Sequence, residues 1–160
     1  MPKTISKDAP LAEITLRKYE KPIDLDRREL VKKICLSIGL LQPGDSRDSI
    51  VDVLSVLLDA KKQKLSLDAK EIETRVVSMR KKQNLPLKGI APSNIRRQIK
   101  RLRDFFFVEK QNNKYRIAEF EQLSTLFERK VEKYYLALIL ERVREYFKTI
   151  DKFNDGHRLS

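Results

Sequence analysis

The chain has 160 residues, with 35 Lys+Arg against 23 Asp+Glu and a formal net charge of +12. A single cysteine, Cys35, excludes an internal disulfide framework and points to a reducing compartment. No apolar run approaches the ~20 residues of a membrane span and no signal core opens the chain, so the expectation is a soluble, cytoplasmic, nucleoid-associated protein whose surplus charge meets a polyanion.

Residues 1–22 hold Pro2, Pro10 and Pro22 and no sustained pattern, which reads as a flexible arm. Residues 23–45 form an N-terminal helical unit. Leu30, Ile34, Ile38 and Leu41 recur at helical spacing over about 26 to 41, with Asp24 and Asp26 complementing the helix start. Pro43 and Gly44 make a turn, and Asp45 or Ser46 is suited to cap the next helix, about 46 to 62, which buries Ile50, Leu54, Leu57 and Leu58. Leu65 to Leu67 reads as a short strand. Ser66 or Asp68 then caps a helix carrying Ile72, Val76 and Met79 and ending near Lys82. A loop with Pro86, Gly89 and Pro92 follows, and Pro92 gives the next helix a clean start with Ser93 as its cap.

That next helix is the most informative stretch. Ile95, Ile99, Leu102 and Phe106 fall on one side of a helical wheel; Asn94, Arg97, Lys100 and Arg101 project from the other, with Arg96 and Arg103 adding charge. No acid occurs from Thr74 through Arg103, while Arg75, Arg80, Lys81, Lys82 and Lys88 accumulate. The period then switches to two through Phe107 and Val108, breaks at Asn112 and Asn113, and resumes with "YRIAEF": a two-strand hairpin. From Glu119 to about Ile150 helical spacing returns. One apolar stripe runs Phe120, Leu123, Phe127, Val131, Tyr134 and Leu138, and a second runs Tyr135, Ile139, Val143, Tyr146 and Ile150. A helix so apolar around its girth wants a partner.

The order helix, short strand, helix, basic helix, hairpin over 46–118 resembles a winged helix-turn-helix domain. The resemblance is carried most by "SNIRRQIKRLRDFFFVEKQNNKYRI" (Ser93 to Ile117) and is similar to small archaeal and bacterial dimeric transcription regulators. Many such sequences place a glycine before the first wing strand, where this chain has Phe105 or Phe106. The fold expected is mainly α with a small β-hairpin wing, plus a long C-terminal dimerisation helix and tail over 119–160. The resemblance implies a homodimeric, sequence-specific regulator binding double-stranded DNA, with the helix from Ser93 in the major groove.

Candidate DNA contacts are Ser93, Asn94, Arg96, Arg97, Lys100 and Arg101 on that helix. Arg80, Lys81, Lys82 and Lys88 join them from the preceding helix and loop, and Asn112, Asn113, Lys114 and Arg116 from the wing. The plain alternative for each group is a solvated charged face or, for 80 to 82, a helix end whose cations complement the dipole. The candidate dimer face is Phe127, Val131, Tyr134, Tyr135, Leu138, Ile139, Val143, Tyr146 and Ile150. A protein-binding adaptor with only nonspecific DNA affinity is the rival reading, and an RNA-binding accessory a weaker third. Catalysis is not expected. Cys35 reads as apolar filler, His157 stands alone in a polar tail, and no Gly-rich phosphate loop or Cys/His cluster occurs, so no metal, cofactor or small-molecule effector is expected.

Overall fold

The computed structural model describes residues 8–156, and its centre is a helix buried on nearly all sides. Helix α2 (Ser49–Lys62) presents Ile50, Val51, Val53, Leu54, Val56 and Leu57 to the interior. Around it pack α1 (Arg27–Ser37), α3 (Ala69–Lys82), α4 (Pro92–Asp104) and one antiparallel hairpin, β1 (Val108–Gln111) with β2 (Lys114–Ile117). The architecture is thus mainly helical with a small two-stranded sheet. A run as apolar as "SIVDVLSVLL" has no polar face to give to solvent, so the other elements must surround it.

Local chemistry sets the boundaries. Asp26 caps α1 by accepting from Glu29 N at 2.8 Å, whereas α1 stops at Ser37, short of the expected Leu41. The reason lies just beyond: Gly39 sits at φ 75°, and a Cβ there would stand 2.7 Å from Thr15 Cβ. The N-terminal segment passes so close that only glycine fits, and the left-handed turn ends the helix. Helix α2 begins at Ser49, and neither Asp45 nor Ser46 caps it; Asp45 instead accepts from Arg47 N. Asp68 closes a capping box with Glu71 at the start of α3. Helix α4 starts one residue before the expected cap, with Pro92 at its first position and Ala91 as N-cap, so Ser93 is a helical residue and not a cap.

Asn112 and Asn113, both at positive φ (51° and 60°), make the two-residue turn of the hairpin, with Gln111 opposite Lys114. Leu67 adds a single backbone bridge to Tyr115, which is all that forms of the expected short strand. Two residues before β1, Phe106 sits at φ 72°, a conformation that favours glycine. Its ring packs edge-on against Tyr135 at 5.7 Å, and that contact offsets some of the backbone cost.

Glu119 and Phe120, also at positive φ, turn the chain after β2, so the C-terminal helix begins at Leu123 and not at 119. It runs through α5 (Leu123–Leu126), a stretch with π-type hydrogen bonding (Phe127–Leu136) and α6 (Ala137–Asn154). The junction residues Phe127 and Ala137 keep right-handed helical angles, so the three pieces form one rod.

Residues 8–25 carry no helix or strand, but part of this segment is tied down. Arg17 N–H donates to Ser37 O, and its guanidinium reaches Leu36 O (2.7 Å), Leu41 O (3.2 Å) and Gln42 Oε1 (2.6 Å). Those carbonyls lie at and beyond the end of α1, where backbone acceptors lack helical partners. A loose arm does not describe this strap; the first seven residues of the expected arm, and His157 at the other end, lie outside the described residues.

Candidate functional site

The core fixes the roll of α4. Ile95, Ile99 and Leu102 are fully buried, and Gln98 is buried beside them. At one hundred degrees per residue, positions on the opposite side of the helix from that line must face outwards. Ser93, Arg96, Arg97 and Lys100 do so and are exposed. Among the described residues Arg97 has no ion-pair or hydrogen-bond partner. Lys100 pairs with Asp104 at 2.9 Å on the surface, and Arg96 Nε stands 3.8 Å from Glu73 Oε1 while its side chain remains 67% exposed. The Lys100–Asp104 pair, exposed on both sides, contributes little and exchanges readily for another anion, whereas Arg96 lies against a buried carboxylate whose Oε1 has no hydrogen-bond partner among the described residues.

The hairpin borders this ridge. Arg103 and Lys110 flank the Tyr115 ring at 5.9 and 5.6 Å from its centroid. A cleft of about 520 Å³ opens between α3, α4 and the turn, lined by Lys70, Arg96, Lys110 and Asn113 with Asp68 and Tyr115. Asn112, Asn113 and Lys114 are exposed at the tip; Lys81 and Lys82 are exposed at the end of α3 and Lys88 in the loop before α4.

Four of the residues expected to meet nucleic acid are engaged within the chain. Arg80 is the firmest correction: only 2% exposed, it donates to Asp52 and Asp48 carboxylates and, through Nε, to Pro86 O at 2.8 Å. Arg28 completes the cluster, pairing with Asp48 at 3.0 Å and with Asp52. Asp52 is fully buried, and a buried carboxylate requires paired cations, which α1 and α3 supply from either side. Burial pushes the Asp48 carboxyl up, but the Arg28 charge and hydrogen bonds from Arg80 and Arg28 outweigh it and hold it below the ordinary range. Burial likewise opposes the Arg28 charge, and the Asp52 and Asp48 carboxylates overcome it.

Asn94 also points inwards, donating to Gly89 O at 2.6 Å and to Ser49 Oγ at 3.1 Å, so it fastens the loop before α4 to α2. Arg101 turns sideways, half-buried, to Gln98 Oε1 at 2.8 Å and lines a cavity with Thr15, Phe106 and Tyr135. Arg116 is held by Glu109 at 2.6 Å and lies over the Phe120 ring. Three of these inward turns had a sequence signal. Arg80 continues the Ile72–Val76 line by four residues, and Asn94 and Arg101 border the apolar arc of α4. The acids that draw Arg80 in come from α2, and no spacing rule in α3 points to them.

The expected dimer face divides in two. Val131 is fully buried and Phe127 packs on the main core, while Tyr135 binds the strap, donating to Glu13 O at 3.1 Å and accepting from Glu13 N at 3.2 Å. Those three serve the fold of their own chain. Tyr134, Leu138, Val143, Tyr146 and Ile150 are exposed, together with Leu140, Phe147 and Phe153. Ile139 is half-buried.

Cys35 is fully buried and its thiol is pushed up to about 12 by desolvation, so it behaves as an apolar side chain. Among the described residues no group of His, Cys, Asp and Glu could hold a metal ion, and no helix is long and apolar enough to cross a membrane. No protein-family model, curated protein or solved structure matches this chain.

Proposed function

We propose that the chain is a winged helix-turn-helix regulator that binds double-stranded DNA sequence-specifically as a homodimer, with α4 as the recognition helix and the β1–β2 hairpin as the wing. The observation that carries this reading is the solvent-facing row Ser93, Arg96, Arg97 and Lys100, rigidly backed by Ile95, Ile99 and Leu102 and uncompensated at Arg97. An α-helix fits the major groove, about 12 Å wide, only if its outward positions are free of the body, and these are.

Residue roles follow from exposure. Arg97 and Lys100, at the middle of the exposed face, suit guanine edges; Arg96 and Lys110 line the cleft beside the wing, Lys114 is exposed at the hairpin tip, and all three suit phosphate. Lys81, Lys82 and Lys88 extend the positive surface, whereas Arg80, Asn94, Arg101 and Arg116 are positioning residues with their donors already engaged.

Selection from random duplexes tests the reading. A recovered motif with two related halves supports it, together with a salt slope near −5 if about six phosphates are neutralised. An empty selection with weak, salt-sensitive binding favours the adaptor reading instead, and a slope near zero overturns both.

A further inference from the structure

The exposed face of α6 has a period and a symmetry of its own. Leu136, Ile139, Val143, Tyr146, Ile150 and Phe153 alternate in steps of three and four, which is the a/d repeat of a coiled-coil seam. Leu136 and Ile139 are half-exposed, and the rest are exposed: Val143 45%, Tyr146 73%, Ile150 49% and Phe153 64%. Leu140 and Phe147 sit at the flanking e positions and are exposed as well. Tyr146, Phe147 and Phe153 alone expose roughly 400 Å² if each ring side chain offers about 150–250 Å². That is already about half of what one partner contributes to a standard interface. A patch of this length on a single helix fits another helix of the same repeat.

We infer that α6 pairs with α6 of a second copy in antiparallel fashion, about a two-fold axis between Arg144 and Glu145. The inference rests on the homodimer of the proposed function and deepens it.

Three observations select this arrangement. The first is register. Reversal about that point sets Leu136 against Phe153, Ile139 against Ile150 and Val143 against Tyr146 of the partner helix, so every a position meets a d position. Sliding by one heptad either way strands two of the six. The second is the flanks. Antiparallel pairing brings e against e, which puts Leu140 beside Phe147 of the other copy, apolar on apolar, while parallel pairing would set Phe147 against Arg142.

The third is where the bodies lie. Tyr135 and Arg142 occupy the g flank. Tyr135 carries the strap and the Phe106 ring, and a cavity of about 700 Å³ between residues 9–11 and the helix is lined by Tyr135 and Arg142 and, at the edge of the seam, by Ile139, Val143 and Tyr146. In an antiparallel pair g faces g, so both bodies fall on one side of the helix pair. A parallel pair would put them on opposite sides, unable to share one face of a duplex. At 1.5 Å per residue the two Val131 anchors lie about 40 Å apart along the axis. One turn of B-DNA separates half-sites by about 34–36 Å, a comparable span.

Dipolar distance measurement between single spin labels tests this on the intact chain. Labels at Ala137→Cys, Arg144→Cys and Asp151→Cys share one heptad position facing away from the bodies, and buried Cys35 with its raised thiol pKa stays unlabelled. The expected result is a short separation at 144, with 137 and 151 each offset by a further ~20 Å along the axis. Equal separations at all three sites overturn the antiparallel arrangement and leave the DNA reading standing. Absence of coupling at tens of micromolar overturns the pairing and the homodimer with it. Val143→Glu should weaken association at least a hundredfold by sedimentation. Val143 is exposed in the single chain, so thermal melting of the dilute protein should not change; unchanged association would overturn the seam.

Discussion

Arg80 and Arg97 belong to the same acid-free run, Thr74 to Arg103, and by local composition they are interchangeable. One is shut inside the protein between two aspartates and a carbonyl; the other stands in solvent with no partner among the described residues. The difference is made by α2. Asp52 lies in the part of α2 that is buried on every side, so its charge must be met by whatever cation the neighbouring helices carry on their inner sides. On α3 that is Arg80. On α4 the inner side is held by Ile95, Ile99 and Gln98, and the cations are left outside. A cluster of positive charge in sequence is therefore a mixture, and only the partner acid, distant in the chain, separates structural cations from those free to meet a ligand.

The widest effect should come from the buried side of this comparison. Asp52→Asn leaves Arg80 and Arg28 with only the partly exposed Asp48 carboxylate between them and should cost about 3–5 kcal/mol in chemical denaturation. A loss below 1 kcal/mol would mean that the cluster is solvated after all. On the exposed side, Arg97→Ala should leave stability within about 0.5 kcal/mol. It should weaken binding to a selected duplex by about 1–3 kcal/mol, with relaxed preference at one base pair. Arg80→Met sharpens the contrast: stability falls, while the affinity of the folded fraction is retained. If Arg80→Met and Arg97→Ala weakened binding equally, the division drawn here would fail.

Smaller effects follow from capping and titration. Asp68→Ala removes the side-chain half of the capping box of α3, the bond accepted from Glu71 N, and should cost about 1 kcal/mol in thermal or urea unfolding. The depressed Asp48 carboxyl gives stability that is fully present above its unfolded value, near 3.9, and is lost as pH falls through its lower folded value. Unfolding midpoints measured from pH 7 downwards should decline below about pH 4, and Asp48→Asn should flatten that decline.

How far the sequence carried the structure is clearest at particular residues. The periods of Ile72–Val76 and Ile95–Ile99–Leu102 placed two helices and their inner faces, and the Asn112–Asn113 pair placed the hairpin turn, because these signals are local. Helix α1 ended early for a reason no local signal holds, the approach of Thr15 to Gly39 across the strap. The two apolar stripes, one through Phe127 and Val131 and one starting at Tyr135, were visible, but an apolar stripe states only that something covers it. Here the same chain covers its first part, and solvent meets the rest. Asn94 shows the converse: a residue type suited to reading adenine is consumed by a carbonyl five residues earlier.

The Tyr135 side chain has a consequence for measuring length. Its ring abuts Phe106 where α4 gives way to the hairpin, and its hydroxyl is clamped on both sides by the Glu13 backbone, so head and rod share a stiff neck. Each added base pair between half-sites demands a twist of about 35° as well as 3.4 Å of travel. Under the proposed reading a molecule built this way acts as a caliper: it tolerates a wrong letter in the operator more easily than a wrong gap.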